Sequence, residues 1–204
     1  MKKKLLFVLA AVTIIMTFSA CGAPGPTETA DTFMTAIKEK DAETVKSVYA
    51  GKTFDLLQET DKESDDAFED TLDDTLAEKI FDFDYKLSDE KIDGDKATVK
   101  VSITTYDLGG AIEDFVSEYL TQAITLSFSG ASDKQIEKLS ETLLAKHMKK
   151  VEKDYNGTAT IHLTKKDGKW QINKFDDNGD FINALSGGVV ESIKNIEEIY
   201  DTEE

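Results

Sequence analysis

Residues 97–104 read Ala-Thr-Val-Lys-Val-Ser-Ile-Thr, an unbroken alternation of apolar and polar side chains. A period of two residues is typical of a β-strand with one buried and one solvated face. Similar alternation runs through residues 81–86 and 159–164, and Asp93-Gly94-Asp95 and Asp167-Gly168 supply turn signals. A short apolar run at Trp170 and Ile172 follows the second turn. Together these segments predict two antiparallel hairpins, one around each turn.

Helices are predicted on both sides of each hairpin. Apolar side chains recur every three or four residues in six segments, at about 28–39, 41–50, 64–80, 112–124, 132–151 and 189–196. Asp41 and either Ser132 or Asp133 are predicted to cap two of these helices. Hairpins and helices that are segregated along a chain are typical of the α+β class. We therefore expect a curved antiparallel sheet of about four strands, covered by the N-terminal and central helices.

The N-terminus has the composition of an export signal. Lys2, Lys3 and Lys4 precede an apolar run from Leu5 to Phe18, and small residues follow. This run is shorter than the roughly 20 residues that a helix needs to cross a bilayer core, so a cleaved signal is favoured over a permanent span. Residues 18–21, Phe-Ser-Ala-Cys, resemble the lipobox of bacterial lipoproteins, with phenylalanine where leucine is usual.

That resemblance implies a lipid anchor on Cys21, the single cysteine of the chain. In lipoproteins the thiol receives a diacylglycerol, the chain is cut before the cysteine, and acyl chains such as palmitate hold the protein on the bacterial cell membrane, facing outside the cytoplasm. The competing interpretation is an ordinary secretory signal with an incidental cysteine. The predicted organisation is a signal peptide at 1–20, a tether at 21–27 and a single α+β domain at 28–204. A helical insertion at about 108–155 and a C-terminal helix belong to that domain.

Composition excludes several classes of function. The 204 residues carry a net charge of −17, and the sequence contains no arginine. Such an acidic chain lacks the broad basic surface that binds nucleic acid. A single cysteine excludes a disulfide scaffold and a cysteine-based zinc site. We therefore predict no nucleic-acid partner, no metal and no cofactor.

Two segments resemble a known superfamily. They are the helical stretch from Phe33 to Val45 and the closing hairpin from Thr158 to Ile172, which contains Gly168-Lys169-Trp170. Both are similar to the cone-shaped α+β superfamily named after nuclear transport factor 2, also called SnoaL-like, in its branch of small bacterial lipoproteins of unknown function. The resemblance implies a helix pair packed into a curved antiparallel sheet. The chain differs from the common cone at 108–155, where helices separate the two hairpins.

Few residues carry recognisable chemistry, and no catalytic residue is predicted. The sequence contains no nucleophile elbow, phosphate loop or dinucleotide fingerprint. His147 lies within an apolar helical stripe, whose members offer nothing to orient an imidazole. An active role for His147 would require Tyr119, Tyr49 or a buried carboxylate within about 3 Å of it, facing a cavity.

Aromatic residues are the other candidates for a site. They are predicted to pack in the core or, alternatively, to line the mouth of a cavity in the cone. The possible lining residues, together with His147, are Tyr49, Phe83, Tyr85, Tyr119 and Trp170. Trp170 is expected to be substantially buried against the first helix. Acidic clusters at 61–74 and 176–180 are interpreted as a solvated helix face and a turn or helix cap, because neither surrounds an ion as a calcium site must.

The leading prediction is a membrane-anchored extracytoplasmic lipoprotein whose domain is a non-catalytic binding or interaction module for an unidentified protein or small molecule. The alternative is a small-molecule enzyme that uses the cone cavity, with His147 as its base. A solute-binding component of a transporter is a third hypothesis, disfavoured because such receptors usually have two lobes and are larger. A sheet face filled with apolar side chains would favour binding, and an open cavity that holds a titratable group would favour an enzyme.

Overall fold

A computed structural model describes residues 23–51, 76, 78–176 and 179–201. The described helices are α1 (Pro26–Lys38), α2 (Ala42–Val48), α3 (Leu108–Phe128), α4 (Asp133–Lys150), α5 (Asp180–Leu185) and α6 (Val189–Asp201). The described strands are β1 (Asp84–Asp93), β2 (Lys96–Thr105), β3 (Tyr155–Lys166) and β4 (Lys169–Ile172). They form one antiparallel sheet in the order β1-β2-β3-β4. The predicted α+β class is therefore confirmed.

The inner face of the sheet is filled with apolar side chains. Alternate residues of β2 and β3 face inward, and among them Val99, Val101 and Ile161 are 0% exposed. Helix α1 covers them with Phe33 and Ile37, which are also fully buried. Helices α2 and α5 contribute to the same cluster. Because full burial of one such side chain contributes roughly 1.5–3 kcal/mol, this layer is a principal source of the stability of the fold.

The two hairpins join into one sheet despite the helices between them. Val101 of β2 lies opposite Ala159 of β3, although α3 and α4 separate these strands in sequence. The predicted turns form at the ends of both hairpins, where Gly94 has a φ of +57° and Gly168 a φ of +80°. Glycine occupies this left-handed region without the steric cost of a Cβ atom. The helical insertion is thus an addition at one end of a continuous sheet.

The predicted start of the first strand is wrong. Phe81 ends a helical segment, and β1 begins only at Asp84, so neither Phe81 nor Phe83 is a strand residue. Both side chains are nevertheless buried in the core. Phe81 and Phe83 alternate with aspartates because both phenylalanines are buried at the junction between a helix and β1. At such a junction, alternating burial does not show that the backbone is a strand.

Trp170 lies at the rim of the core and not within it. It is partly buried, and it packs beside the core cluster without belonging to its buried members. Trp170 of β4 lies opposite Lys165 of β3, whose Nζ is 5.6 Å from the centre of the indole ring. Leu163 is the last fully buried residue of β3. Lys165 and Trp170 lie beyond it, where the helices no longer cover the sheet completely. Most of the Trp170 side chain is nevertheless buried, as expected, although it packs against the core from its rim.

Helix α1 defines two opposite ends of the sheet. At its start, the backbone N–H and the hydroxyl of Thr27 donate to the Glu90 carboxylate at 2.9 and 2.6 Å, close to the β1–β2 turn. At its end, Lys38 Nζ donates to the carbonyl of Phe83 at 2.7 Å, just before β1. Helix α3 departs after Thr105, which lies at this second end. The N-terminus of the fold and the helical insertion therefore occupy opposite ends of the sheet.

Some predictions fall on residues outside the described ranges. These are the leader, Cys21, most of the helix expected at 64–80 and the acidic residues at 61–74. Of the helix expected at 64–80, the structure describes Leu76 and Ile80, which pack against a second apolar cluster around Leu108 and Met148. Among the described helices, none is both long enough and apolar enough to cross a membrane.

Replacing Ile37 by alanine should lower the free energy of unfolding by about 2–5 kcal/mol, because this side chain is fully buried beneath the sheet. Ile92→Ala is the matched control, since Ile92 is 55% exposed at the end of β1, and it should cost less than about 1 kcal/mol. Urea denaturation of both variants gives the comparison. Equal losses would contradict the role of α1 as the cover of the sheet.

Candidate functional site

The strongest candidate site lies where α3 and α4 leave the sheet. Helix α3 begins after Asp107, whose carboxylate accepts the Gly110 N–H at 3.0 Å. Helix α4 begins after Ser132, which forms a capping box with Gln135, so Ser132 and not Asp133 is the cap. A short connection joins the two helices, which pack against each other. The end of α4 is thereby brought back alongside the first half of α3.

A carboxylate of α3 is paired with two basic side chains of α4. His147 Nε2 lies 2.8 Å from Glu118 Oε2, and Lys146 Nζ donates to both Glu118 oxygens at 2.6 Å. The His147 side chain is 12% exposed and that of Glu118 is 28% exposed. The hydrogen bond from Lys146, followed by that from His147, lowers the pKa of Glu118. Glu118 is therefore an ionised acceptor at neutral pH.

This contact selects the tautomer of neutral His147. An ionised carboxylate only accepts hydrogen bonds, so Nε2 must carry the hydrogen that points to Glu118. The lone pair of the neutral ring is then on Nδ1. No described residue hydrogen-bonds to Nδ1. The imidazole thus has a fixed orientation and one nitrogen that is available as a proton acceptor.

A cleft of about 430 Å³ adjoins His147. It lies between the start of α3, the end of α4 and the connection to β3. Its other lining residues are Asp107, Gly110, Ala111, Glu113, Asp114, Lys150, Val151, Glu152 and Asp154. Five carboxylates surround one lysine and one histidine there, so the electrostatic potential of the cleft favours cationic over anionic ligands. Within the described ranges, no three histidine, cysteine or acidic side chains converge as metal ligands would.

A second cavity, of about 420 Å³, lies on the outer face of the sheet at the opposite end. His162 lines it together with Thr98 and Thr164, in agreement with the prediction that His162 lies on the solvated face. Among the described residues, none holds the imidazole of His162 by a hydrogen bond. The cavity near His147 is therefore the better candidate, because only there does the structure fix a titratable ring.

Most of the predicted lining residues are not brought together. Phe83 is fully buried, and Tyr49 is enclosed beside Phe33 with its hydroxyl accepting the Phe175 N–H at 3.1 Å. Both belong to the core, as the first of the two interpretations of the aromatic residues predicts.

The remaining aromatic candidates lie on three separate elements. Tyr85 donates to the Asp31 carboxylate at 2.7 Å, and burial raises its pKa to about 12. Tyr119 stacks on Phe115 with ring centres 5.7 Å apart, and Trp170 lies at the rim described above. Neither of the two cavities is lined by any of these aromatic residues. His147 alone among the six candidates borders the cleft.

Sequence reasoning missed Glu118. The expectation that nothing orients His147 considered only its own helix, and that expectation is wrong because the partner comes from α3, 29 residues earlier. The available signal was the pairing of two consecutive amphipathic helices. Glu118 and Lys146 have opposite charges on helices that must run antiparallel when a short loop joins them. The exact alignment of the two helices, however, depends on packing that the sequence pattern alone does not define.

No protein-family model, curated protein or solved structure matches this chain.

Glu118→Gln should destabilise the protein at pH 7 and have a smaller effect at pH 3. A carboxyl group whose pKa falls on folding stabilises the fold above its ordinary value, which is 4.5 for Glu118. That contribution is lost as the pH falls through this value and below it. Denaturant titration of both proteins at the two pH values measures the difference.

Asp114→Asn is the matched control for this experiment. Asp114 is an exposed residue one turn earlier on α3, and it forms no ion pair with the described residues. Its replacement should change stability little at either pH. A Glu118→Gln effect of the same size at pH 7 and pH 3 would contradict the ionic role of the contact.

Proposed function

We propose that the protein is a lipid-anchored extracytoplasmic binding module. What supports this proposal is the resemblance of residues 1–20 and Cys21 to a lipoprotein export signal, with only residues 22–25 between that cysteine and the first helix of the fold. Two acyl chains hold a protein on a membrane durably, at about 0.8 kcal/mol per buried methylene group. A tether this short keeps the start of α1 close to the membrane surface.

The geometry of the fold supports a binding role at the end distant from that tether. The inner sheet face is filled, so the core of the described residues offers no cone cavity to a substrate. The cleft beside His147 is open to solvent and lies at the end of the sheet from which α3 departs. A ligand in this cleft would face away from the membrane. Its acidic lining favours a ligand that carries positive charge.

Cys21→Ala should abolish lipidation of the chain. The unsubstituted protein should sediment with membranes and carry the mass of its acyl chains, whereas the variant should be released or remain unprocessed. Ala23→Ser, two residues beyond the modification site, is the control and should remain lipidated. Mass spectrometry and membrane fractionation give both results. A mature, unsubstituted protein without added lipid mass would refute the proposal.

A second candidate function is proton-transfer catalysis at His147. The observation in its favour is the contact at 2.8 Å between His147, which lines an open cleft, and the Glu118 carboxylate, which is partly buried. An imidazole oriented by a carboxylate is a general base when its other nitrogen faces a substrate. In this candidate Nδ1 of His147 would accept the proton and Glu118 would be a positioning residue.

The tautomer of His147 tests this second candidate. Long-range ¹H–¹⁵N NMR of the neutral ring should show the hydrogen on Nε2, and Glu118→Ala should allow both tautomers. Asp114→Ala, which removes a carboxylate from the cleft without touching the ring, should leave the tautomer unchanged. A hydrogen on Nδ1 in the unsubstituted protein would eliminate the role of base, because no lone pair would then be available on that nitrogen.

A further inference from the structure

Helix α3 presents an apolar stripe to solvent. Leu120, Ile124 and Phe128 follow one another at intervals of four residues, which places them on one side of the helix. Their exposed fractions rise along the helix, from 37% through 57% to 89%. An exposed phenylalanine in line with two exposed aliphatic residues is typical of an interaction surface.

The stripe is also free of charge. Residues 119–132 contain no acidic or basic side chain, in a chain that is 32% charged. The acidic residue that precedes them, Glu118, is paired with Lys146 and His147. Two copies of a protein with a net charge of −17 repel each other over most of their surface. Residues 119–132 are a place where two copies can approach without bringing like charges together.

Helix α6 covers the first half of the stripe and leaves the second half open. Gly109 donates to the Gly187 carbonyl at 2.8 Å, and Asn195 donates to Glu113 at 3.1 Å, so α3 and α6 run in the same direction. Between them lies a groove of about 330 Å³ with an apolar floor formed by Val116, Leu120, Ile196 and Ile199. Helix α6 ends at Asp201, whereas α3 continues to Phe128.

We propose that this stripe is the interface with a second copy of the chain. Two α3 helices that pack antiparallel, with Ile124 of each copy at the twofold axis, place Phe128 of one copy opposite Leu120 of the other. Each copy then supplies both a protruding aromatic ring and the groove that receives it. A surface that complements itself in this way is what an isologous dimer requires.

The pairing is compatible with tethers in one membrane. The twofold axis of an antiparallel pair is perpendicular to α3. Both tethers reach the same bilayer when that axis coincides with the membrane normal, and α3 then lies parallel to the membrane surface.

Disulfide formation in the full chain tests the pairing. Two cysteines are bridged only when their Cα atoms come within about 7 Å. Ile124→Cys should therefore give a disulfide-linked dimer under mild oxidation in membranes, at least fivefold faster than Ile92→Cys. Ile92 is the matched control, because it is similarly exposed, at 55%, but lies at the opposite end of the sheet. The unsubstituted chain gives the background from Cys21.

The alignment of the helices gives a second test. Residue 128 lies four residues from the axis, about 6 Å along the helix, so the two copies of residue 128 are about 12 Å apart. Phe128→Cys and Leu120→Cys should each fail to form dimers alone but form a mixed disulfide when expressed together. Equal rates for Ile124→Cys and Ile92→Cys, or a Phe128→Cys dimer at the rate of Ile124→Cys, would overturn the proposal.

Removal of the protruding ring gives a third test, which does not depend on the position of a new cysteine. In the Ile124→Cys chain, Phe128→Asp should reduce dimer formation at least fivefold, because it places a carboxylate in the apolar groove of the other copy. Ile92→Asp in the same chain adds the same charge at the other end and should change dimer formation less than twofold. An unchanged yield with Phe128→Asp would overturn the proposal.

Discussion

The burial of the inner sheet face beneath α1 is the constraint on which the rest of the structure depends. Val99, Val101 and Ile161 are fully enclosed in the same cluster as Phe33 and Ile37 of α1. This packing holds β2 against β3 and thereby places the two ends of the helical insertion side by side. Within the described part of the chain, this packing also fills the inner face of the sheet with apolar side chains, and the cleft beside His147 lies outside that core.

The sequence predicted a helix or strand correctly wherever the same spacing of apolar residues continued along the whole element. The alternation in residues 97–104 identified β2, and the helical spacing identified α1, α2, α3, α4 and α6. The alternation at Phe81 and Phe83 wrongly predicted a strand. These residues lie at a junction between a helix and a strand, where buried residues follow neither the helical nor the strand spacing.

The candidate site was far less predictable than the fold. His147 was recognised as unusual, but the residue that orients it comes from another helix. A contact of this kind depends on the alignment of two helices to within one turn, and many alignments bury nearly the same apolar area. The aromatic candidates failed for a different reason. Large aromatic side chains are equally suited to a core and to the wall of a pocket, and Tyr49 and Phe83 are used here for the core.

The opposite placement of the N-terminus and the helical insertion makes the sheet a spacer. Ten residues of β2 at about 3.3 Å each separate the two ends by roughly 33 Å. Charges at physiological ionic strength are screened over about 8 Å, so in the proposed lipid-anchored arrangement the head groups beneath the tether would exert almost no field at the distant end. The protonation of Glu118 and the potential of the cleft beside His147 would then be independent of lipid composition. In that proposed arrangement, the membrane would govern only where the cleft is held.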